Sequence, residues 1–289
     1  MSYLNLFSTR DDELAPKSWA TVQNHEGYKV SRKRGTVRLC LDRPHRGNSL
    51  TFTMIKEITS LFKQLSMDDS VHRIIVTGRG SYFCTGMHLK EDLFISVAER
   101  CNALQELFST IDTCPKTTMA VINGPAFGGG VGLATVCDVR IALSTAFFCL
   151  SEVKLGLCPA TISKFLVREW GISFARMAML TGRRVKSQLL YDAGIIHALA
   201  VDIDALEKVV EEFLDDLRLA ARQAASLCKM MVREAVSGHN ADIDKMAGEV
   251  FETMLAHGSE ASHGIAQFKR GVKDIVWEDL VKDGRPTSP

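Results

Sequence analysis

The fold of this chain is decided by one stretch, Asn123-Gly-Pro-Ala-Phe-Gly-Gly-Gly-Val-Gly-Leu-Ala-Thr-Val-Cys-Asp138. Its glycine run lies between a predicted strand, residues 119–122, and a predicted short helix, residues 129–136. Backbone N–H groups without partners meet the positive end of the helix dipole at such a junction, where they favour a negatively charged oxygen. A tight turn with close packing would also use glycines, so the stretch alone leaves both interpretations open.

Two further segments extend the pattern, Phe83-Cys-Thr-Gly-Met-His-Leu-Lys90 before it and Ser151-Glu-Val-Lys-Leu-Gly-Leu-Cys-Pro159 after it. Two loops that bring bare N–H groups to one point can hold a developing oxyanion, and Glu152 can move protons beside it. The glycine run matches neither G-x-G-x-x-G nor G-x-x-x-x-G-K-[ST], which disfavours both kinds of nucleotide cradle. The combination suggests thioester chemistry.

The composition is that of an ordinary globular protein. A chain of 289 residues, with 46% apolar and 24% charged residues, fits one large domain or one domain with a helical appendage. The net charge of +1 gives no broad field for nucleic acid or an anionic membrane, so neither partner is expected. An anionic ligand must therefore be met by a local patch of charge.

The cysteines and the termini give little information about location. The eight cysteines lack C-x-x-C pairs and zinc-type spacing, which predicts buried reduced thiols and no metal site. The N-terminus has no signal-peptide pattern, no apolar run reaches the roughly 18 residues that span a bilayer, and the last residues are not a Ser-Lys-Leu address. A cytoplasmic location is the default expectation, with a mitochondrial or peroxisomal one left open.

Strand and helix patterns alternate up to about residue 170, and the remaining chain is mostly helical, which predicts an α/β core with a helical C-terminal region. We predict an N-terminal arm at 1–27, the core at 28–200 and the helical region at 201–289. The predicted strands are 28–31, 36–41, 73–77, 119–122, 139–143, 147–150 and 195–201. The predicted helices are 52–66 with Thr51 as N-cap, 91–111, 129–136, 173–180, 187–193, 204–236, 242–256 and 259–275.

Together the three quoted segments resemble the crotonase family, the enoyl-CoA hydratases and isomerases. Members typically read F-x-A-G-A-D-[IL]-K, then N-G-x-A-x-G-G-G-x-E-L-A-x-x-C-D, then P-E or S-E with L-G-L-x-P. Arg43-Pro44 with Asn48 is a further landmark, and the resemblance covers roughly residues 28–277. It implies a spiral of β-β-α units whose C-terminal helices form a homotrimer or, as a dimer of trimers, a homohexamer.

The resemblance also implies the site residues. The N–H groups of Met87 and Gly129 would form the oxyanion hole, and Glu152 would be the catalytic acid and base. The apolar neighbours of Glu152 are expected to raise its pKa. Contacts with the CoA ester are implied for Arg46, Thr85, Gly86, His88, Leu89, Lys90, Gly128, Gly132 and Lys269. CoA is part of the substrate, so no separate cofactor is expected.

Two residues depart from the family pattern. His88 takes the place of the usual aspartate, and a structural replacement is favoured over a proton donor or phosphate contact. Gly132 stands where hydratases with two glutamates carry the second carboxylate. The segment Leu155-Gly-Leu-Cys-Pro-Ala-Thr-Ile-Ser163 nevertheless resembles the methylglutaconyl-CoA and isohexenylglutaconyl-CoA hydratase branch, which reads G-G-G-x-G. A substrate carboxylate, another side chain or the oxyanion hole alone would compensate there.

Three functions follow, in order of preference. The first is an acyl-CoA hydratase or dehydratase that acts on a branched or glutaconyl-like 2-enoyl-CoA. The second is a 3-enoyl-CoA to 2-enoyl-CoA isomerase, which needs only one glutamate. The third is a non-catalytic relative that binds acyl-CoA or RNA; Glu152 counts against the former and the low net charge against the latter.

Overall fold

The computed structural model describes residues 18–88, 95–236 and 240–280. These residues form the strands β1 (Ala20–His25), β2 (Tyr28–Lys33), β3 (Thr36–Leu41), β4 (Arg73–Gly78), β5 (Thr117–Ile122), β6 (Ala126–Phe127), β7 (Val139–Leu143), β8 (Phe147–Cys149), β9 (Arg184–Lys186) and β10 (Ala198–Ala200). The helices are α1 (Phe52–Met67), α2 (Val97–Asp112), α3 (Gly129–Thr135), α4 (Ser163–Trp170), α5 (Ile172–Thr181), α6 (Ser187–Asp192), α7 (Ile203–Arg218), α8 (Arg222–Ala235), α9 (Asn240–Leu255) and α10 (Glu260–Lys269). Short 3₁₀ turns lie at Pro44–Arg46, Ser151–Leu155 and Trp277–Asp279.

Seven strands form one sheet in the order β1-β2-β3-β4-β5-β7-β10. Strands β1, β2 and β3 pair antiparallel, whereas β3, β4, β5, β7 and β10 pair in parallel with their neighbours in this order. The central strands β4 and β5 are apolar along most of their length and almost entirely buried, as expected of parallel strands covered on both faces. The remaining strands form a small sheet in the order β6-β8-β9.

Parallel strands bring their carboxyl ends to one edge of the sheet. Thr77 near the end of β4 pairs with Val121 near the end of β5, so the segments that follow Gly78 and Ile122 leave the sheet side by side. These are the two glycine-bearing segments identified in the sequence. Such an edge is where open α/β sheets generally bind ligands.

The predicted α/β class is confirmed, as are the hairpin of β2 and β3 and the helix that follows it. The hairpin closes between Lys33 and Thr36, and the side chain of Thr51 accepts a hydrogen bond from the N–H of Met54 at 3.1 Å. A cap of this kind typically stabilises a helix by about 1 kcal/mol. The described part of the helix predicted over 91–111 begins at Val97, and residues 91–94 lie outside the described residues.

The prediction of a loose arm up to residue 27 is wrong for β1, which pairs with β2 as an edge strand of the sheet. The helix predicted over 259–275 is also too long. It ends at Lys269, because Gly271 adopts a φ of 85°, in the left-handed region where helices commonly end. The boundaries at residues 27 and 200 stay predictions.

The single helix predicted over 204–236 is two helices, because α7 ends at Arg218 and α8 begins at Arg222. The intervening Leu-Ala-Ala favours a helix, so local propensity does not explain the break. Contacts with residues distant in sequence explain the break. The carboxylate of Glu260 accepts a hydrogen bond from the N–H of Gln223 at 2.7 Å, and Arg222 donates to the carbonyl oxygen of Asp69.

A buried ion cluster fastens the C-terminal segment to the start of the sheet. Oε1 of Glu278 accepts from the N–H of Gly35 at 2.8 Å and lies 3.3 Å from Nη1 of Arg73, and Oε2 lies 2.9 Å from Nε of Arg218. The side chains of Arg73 and Glu278 are each only 5% exposed. Burial alone would raise the pKa of Glu278, but Arg73, the Gly35 N–H, His72 and Arg218 together lower it.

We expect Glu278→Gln to lower the free energy of unfolding at pH 7 by about 3 to 5 kcal/mol, because it leaves a buried arginine without its counter-charge. A carboxyl group whose pKa is lowered by folding stabilises the folded state at pH values above its unfolded pKa, about 4.3. This stabilisation is lost as the pH falls through the folded pKa. The difference between wild type and variant should therefore be constant above about pH 5 and shrink below it. Urea unfolding across this range measures it.

The matched control is Glu106→Gln, which breaks an exposed pair with Lys63. We expect that variant to change the free energy of unfolding by less than about 1 kcal/mol. An equal loss in both variants, or a Glu278→Gln effect that does not depend on pH, would contradict the assignment of a buried stabilising pair.

Candidate active site

The two glycine-bearing segments lie in direct contact. Cys84 and Ala126 form a parallel bridge, and the N–H of Phe127 donates to the carbonyl oxygen of Cys84 at 2.9 Å. A Cβ added at Gly130 would lie 2.1 Å from that same oxygen, and one at Gly86 would lie 3.0 Å from the backbone nitrogen of Gly129. Glycine is therefore required for the two backbones to approach this closely.

Among the residues that the structure describes, the N–H of Met87 has no protein acceptor, which follows from the way its segment is paired. Leu50 bonds to the residues on either side of it: its N–H donates to Gly86 and its carbonyl oxygen accepts from His88, both at 2.8 Å. In such a parallel bridge the polar groups of the central residue point to the opposite side. A Cβ built on Gly129 would lie 3.7 Å from the Met87 nitrogen on that side.

The N–H of Gly129 is the second donor at this point. It is the first residue of α3, where helical N–H groups have no intrahelical partner. Within the described ranges, neither this N–H nor that of Met87 donates to a protein acceptor. The fold thus brings two bare donors from separate loops to one place, which is the arrangement that an oxyanion requires.

Glu152 lies against the same helix terminus. Its 3₁₀ turn follows β8, and the N–H of Gly128 donates to Cys149 at 3.0 Å, which fixes the turn beside α3. A Cβ added at Gly128 would be 2.8 Å from Oε1 of Glu152, and Gly128 has a φ of 48°. The carboxylate is consequently adjacent to Gly128, the residue before Gly129.

Burial raises the pKa of Glu152 above the ordinary glutamate value. Its Oε2 is buried and has no hydrogen-bond partner among the described residues. The predicted direction of the shift is thus confirmed. A carboxyl group with a raised pKa keeps its proton to higher pH, so it is suited to protonate a substrate and to take the proton back.

Gly132 lies one helical turn beyond Gly128 on the same face of α3, and its N–H donates to Gly128 at 3.2 Å. A Cβ there would lie 2.2 Å from Cγ2 of Ile162 and 3.2 Å from Phe108. Ile162 is only 1% exposed and Phe108 is fully buried. The volume that a side chain at position 132 would need is therefore filled by these two apolar residues.

Ile162 and Phe108 were missed by the sequence reasoning. They come from the start of α4 and from α2, and each meets Gly132 only through tertiary packing. Their apolar character predicts burial but not the neighbour against which they are buried. A contact of Gly132 with the CoA ester remains a prediction.

Apart from Gly128 and Gly132, the predicted CoA-binding residues fall into three groups. Arg46 is exposed in the 3₁₀ turn next to Gly47, whose carbonyl oxygen accepts from Thr85 at 3.0 Å, so Arg46, Thr85, Gly86 and His88 lie on neighbouring segments. Leu89 and Lys90 lie outside the described residues. Lys269 is exposed on α10, which packs on α8 and α9, and its contact with the CoA ester remains a prediction.

In the described ranges, no group of three or more His, Cys, Asp or Glu side chains is arranged to hold a metal ion. Every helix of those ranges is too short or too polar to traverse a bilayer. All eight cysteines are free and four of them are buried. The prediction of buried thiols is wrong for Cys158 and Cys228, which are exposed.

Comparison with known proteins gives consistent matches. The family model described as enoyl-CoA hydratase/isomerase matches residues 31–279. The enoyl-CoA hydratase AFT6-1 of Alternaria alternata is 58% identical over 252 residues, which are 87% of this chain and 84% of that protein.

Among solved structures, AtuE of Pseudomonas aeruginosa has a TM-score of 0.82 at 29% identity and covers 87% of this chain and 99% of its own. An enoyl-CoA hydratase/isomerase from Marinobacter aquaeolei has a TM-score of 0.80 at 25% identity, with coverage of 88% and 100%. The predicted crotonase-type fold is confirmed by these neighbours.

Proposed function

This chain is an enzyme of the enoyl-CoA hydratase/isomerase family, and from that premise we propose that it adds water to a 2-enoyl-CoA thioester or removes it again. A branched or glutaconyl-like acyl group is the proposed substrate class. The observation that carries the proposal is the meeting of the Met87 and Gly129 N–H groups beside the carboxylate of Glu152.

The two N–H groups would hold the thioester carbonyl oxygen. As water adds to C3, negative charge passes through C2 to this oxygen, and donors fixed in advance stabilise the resulting enolate. Removing one such donor typically raises the barrier by about 3 to 4 kcal/mol, or about a hundredfold to a thousandfold in rate.

Glu152 would supply and recover the proton at C2. In hydration, the water oxygen forms a bond to C3, a base takes the proton that water loses, and Glu152 gives its own proton to C2. Dehydration reverses these steps. Burial holds the pKa of Glu152 above the ordinary value, which favours the protonated acid that the step needs.

The base is proposed to be the substrate's distal carboxylate. Ile162 fills the space in which a residue at position 132 would carry a second acidic group. A glutaconyl-like ester brings a carboxylate with it, which is why this class is preferred over esters without a distal carboxylate. No cofactor is proposed, since CoA belongs to the substrate.

We also propose a homotrimer or homohexamer. The C-terminal helices expose large apolar side chains, among them Phe251 at 60% and Phe268 at 75%. Exposed apolar residues concentrated on packed helices are typical of a subunit interface. Lys269, next to Phe268, would then reach a CoA ester only through the assembly.

A second candidate is the 3-enoyl-CoA to 2-enoyl-CoA isomerase. The apolar packing at Gly132 favours it, because one carboxylate suffices to carry a proton between C4 and C2.

One experiment separates the two candidates. The protein is incubated in D₂O with crotonyl-CoA, 3-methylglutaconyl-CoA and a 3-enoyl-CoA, and the products are followed by mass spectrometry and proton NMR. Gain of one water, fastest with the glutaconyl ester, is the expected result. A shifted double bond without water would instead identify an isomerase, and no conversion of any ester would contradict both candidates.

A further inference from the structure

Asn48 is a fully buried polar residue close to the proposed oxyanion site. Its φ is 55°, in the left-handed region that asparagine tolerates better than most residues. Oδ1 accepts the N–H of Arg43 at 2.9 Å, and Nδ2 donates to the carbonyl oxygens of Arg79 at 2.9 Å and Tyr82 at 2.7 Å. The side-chain amide thus uses both donor hydrogens and its acceptor.

These bonds tie together the two segments that hold Met87 in place. Arg79 and Tyr82 belong to the turn that enters the Met87 segment. The residues that flank Asn48 pair with that segment further along: Gly47 accepts from Thr85, and Leu50 bonds to Gly86 and His88. Asn48 therefore links the entry of the Met87 segment to residues 47–50, which pair with that segment further along.

We propose that Asn48 is a positioning residue, which fixes the Met87 segment so that its N–H points at the thioester oxygen beside Gly129. The proposal rests on the proposed function, because it assigns Asn48 a part in oxyanion stabilisation. Catalytic donors must be held within roughly 0.5 Å of the productive geometry. Asn48 has no role in the chemistry itself.

The packing around Asn48 supports a specific fit. A Cβ added at Gly78 would lie 2.7 Å from Nδ2 of Asn48 and 2.5 Å from the carbonyl oxygen of Tyr82, so only a glycine at position 78 leaves space for this hydrogen-bonded pair. Asn123 bonds to the same turn, because its Nδ2 donates to Gly80 at 2.8 Å and to Tyr82 at 3.3 Å, and its Oδ1 accepts from Gly78 at 3.0 Å. Asn123 cannot replace the bonds that reach Arg43 and Arg79.

Two variants test the proposal. Asn48→Asp keeps the acceptor for Arg43 but removes both donors. Asn48→Gly removes the whole side chain and still permits a φ of 55°. For each, we expect kcat on the best ester of the panel to fall about tenfold to a hundredfold, while KM changes less than threefold, because ground-state contacts with CoA remain.

A spectroscopic measurement distinguishes positioning from a loss of stability. A saturated acyl-CoA labelled with ¹³C at the carbonyl carbon is bound, and the change in its NMR shift reports polarisation by the N–H donors. We expect wild type to give a clear downfield change and both Asn48 variants a smaller one. Glu278→Gln, which removes stability at the other end of β4, should match wild type in this shift and in kcat.

The outcomes can be assigned separately. No downfield change in wild type, together with no turnover of the panel, would overturn the proposed function. A normal change and normal kcat in a folded Asn48 variant would overturn the positioning role alone. If one variant fails to fold, the other decides the question, since they differ in the bonds and the backbone freedom that they remove.

Discussion

Glutamine in place of Glu152 is expected to lower kcat by about a hundredfold to ten-thousandfold and at the same time to stabilise the folded protein at neutral pH. The first effect follows because an amide cannot give a proton to C2 or accept one from it. The second follows because burial raises the pKa of Glu152, so folding disfavours its charged form. Glutamine fills nearly the same volume without that charge.

The sign of the pH dependence is fixed by the raised pKa. Below the unfolded value, about 4.3, the carboxyl group is protonated in both states, and ionisation has no effect on stability. As the pH rises toward the folded pKa, the unfolded state loses its proton first, and wild type becomes progressively less stable than the variant. The stability gain of Glu152→Gln should therefore be present at pH 8 and absent at pH 4.

Thermal unfolding at both pH values and turnover of the panel measure the two effects. The control is Glu106→Gln, which replaces an exposed glutamate on α2 and should change neither the thermal stability nor the turnover. The variant should still bind the saturated acyl-CoA and still shift its carbonyl signal, because Met87 and Gly129 are intact. Full activity of Glu152→Gln would remove Glu152 from the mechanism.

Glutamate in place of Gly132 is expected to lower the free energy of unfolding by about 1 to 3 kcal/mol or more and to abolish turnover. Its Cβ would lie 2.2 Å from Cγ2 of Ile162, a distance that no side chain accepts. We expect the double variant Gly132→Glu with Ile162→Gly to fold better than Gly132→Glu alone, because the space has been opened.

The double variant also tests the missing base. With a carboxylate at position 132, one helical turn beyond the Gly128 that contacts Glu152, hydration of crotonyl-CoA, which has no distal carboxylate, should rise at least about tenfold over Ile162→Gly alone. The rate with 3-methylglutaconyl-CoA should rise less. Equal crotonyl-CoA rates in the double and single variants would contradict the idea that the substrate carboxylate replaces a residue at position 132.

The sequence predicted the site where short-range signals were sufficient. A glycine run between a strand and a helix, and a glutamate shortly after the next strands, are local patterns, and the pairing of β6 with β8 brings the two together. Ile162 could not be assigned in this way, because any apolar residue of similar size reads the same in sequence. Its role depends on α4 meeting α3 across the core.

The break between α7 and α8 shows the same limit from the other direction. Leu-Ala-Ala is a sequence that favours a continuous helix, and the carboxylate that caps the second helix comes from Glu260, 37 residues after Gln223. The strand β1 was missed because its residues have little apolar alternation, and it is defined by its pairing with β2.

The ion cluster of Glu278 can form only late in the synthesis of the chain. Glu278 lies 205 residues after Arg73, although the two side chains share one buried site. Chains are synthesised from the N-terminus, and their early parts begin to fold first. Arg73 is therefore without its carboxylate until residue 278 has been synthesised, and a ribosome-bound chain that stops before residue 278 should lack the final closure of this end of the sheet.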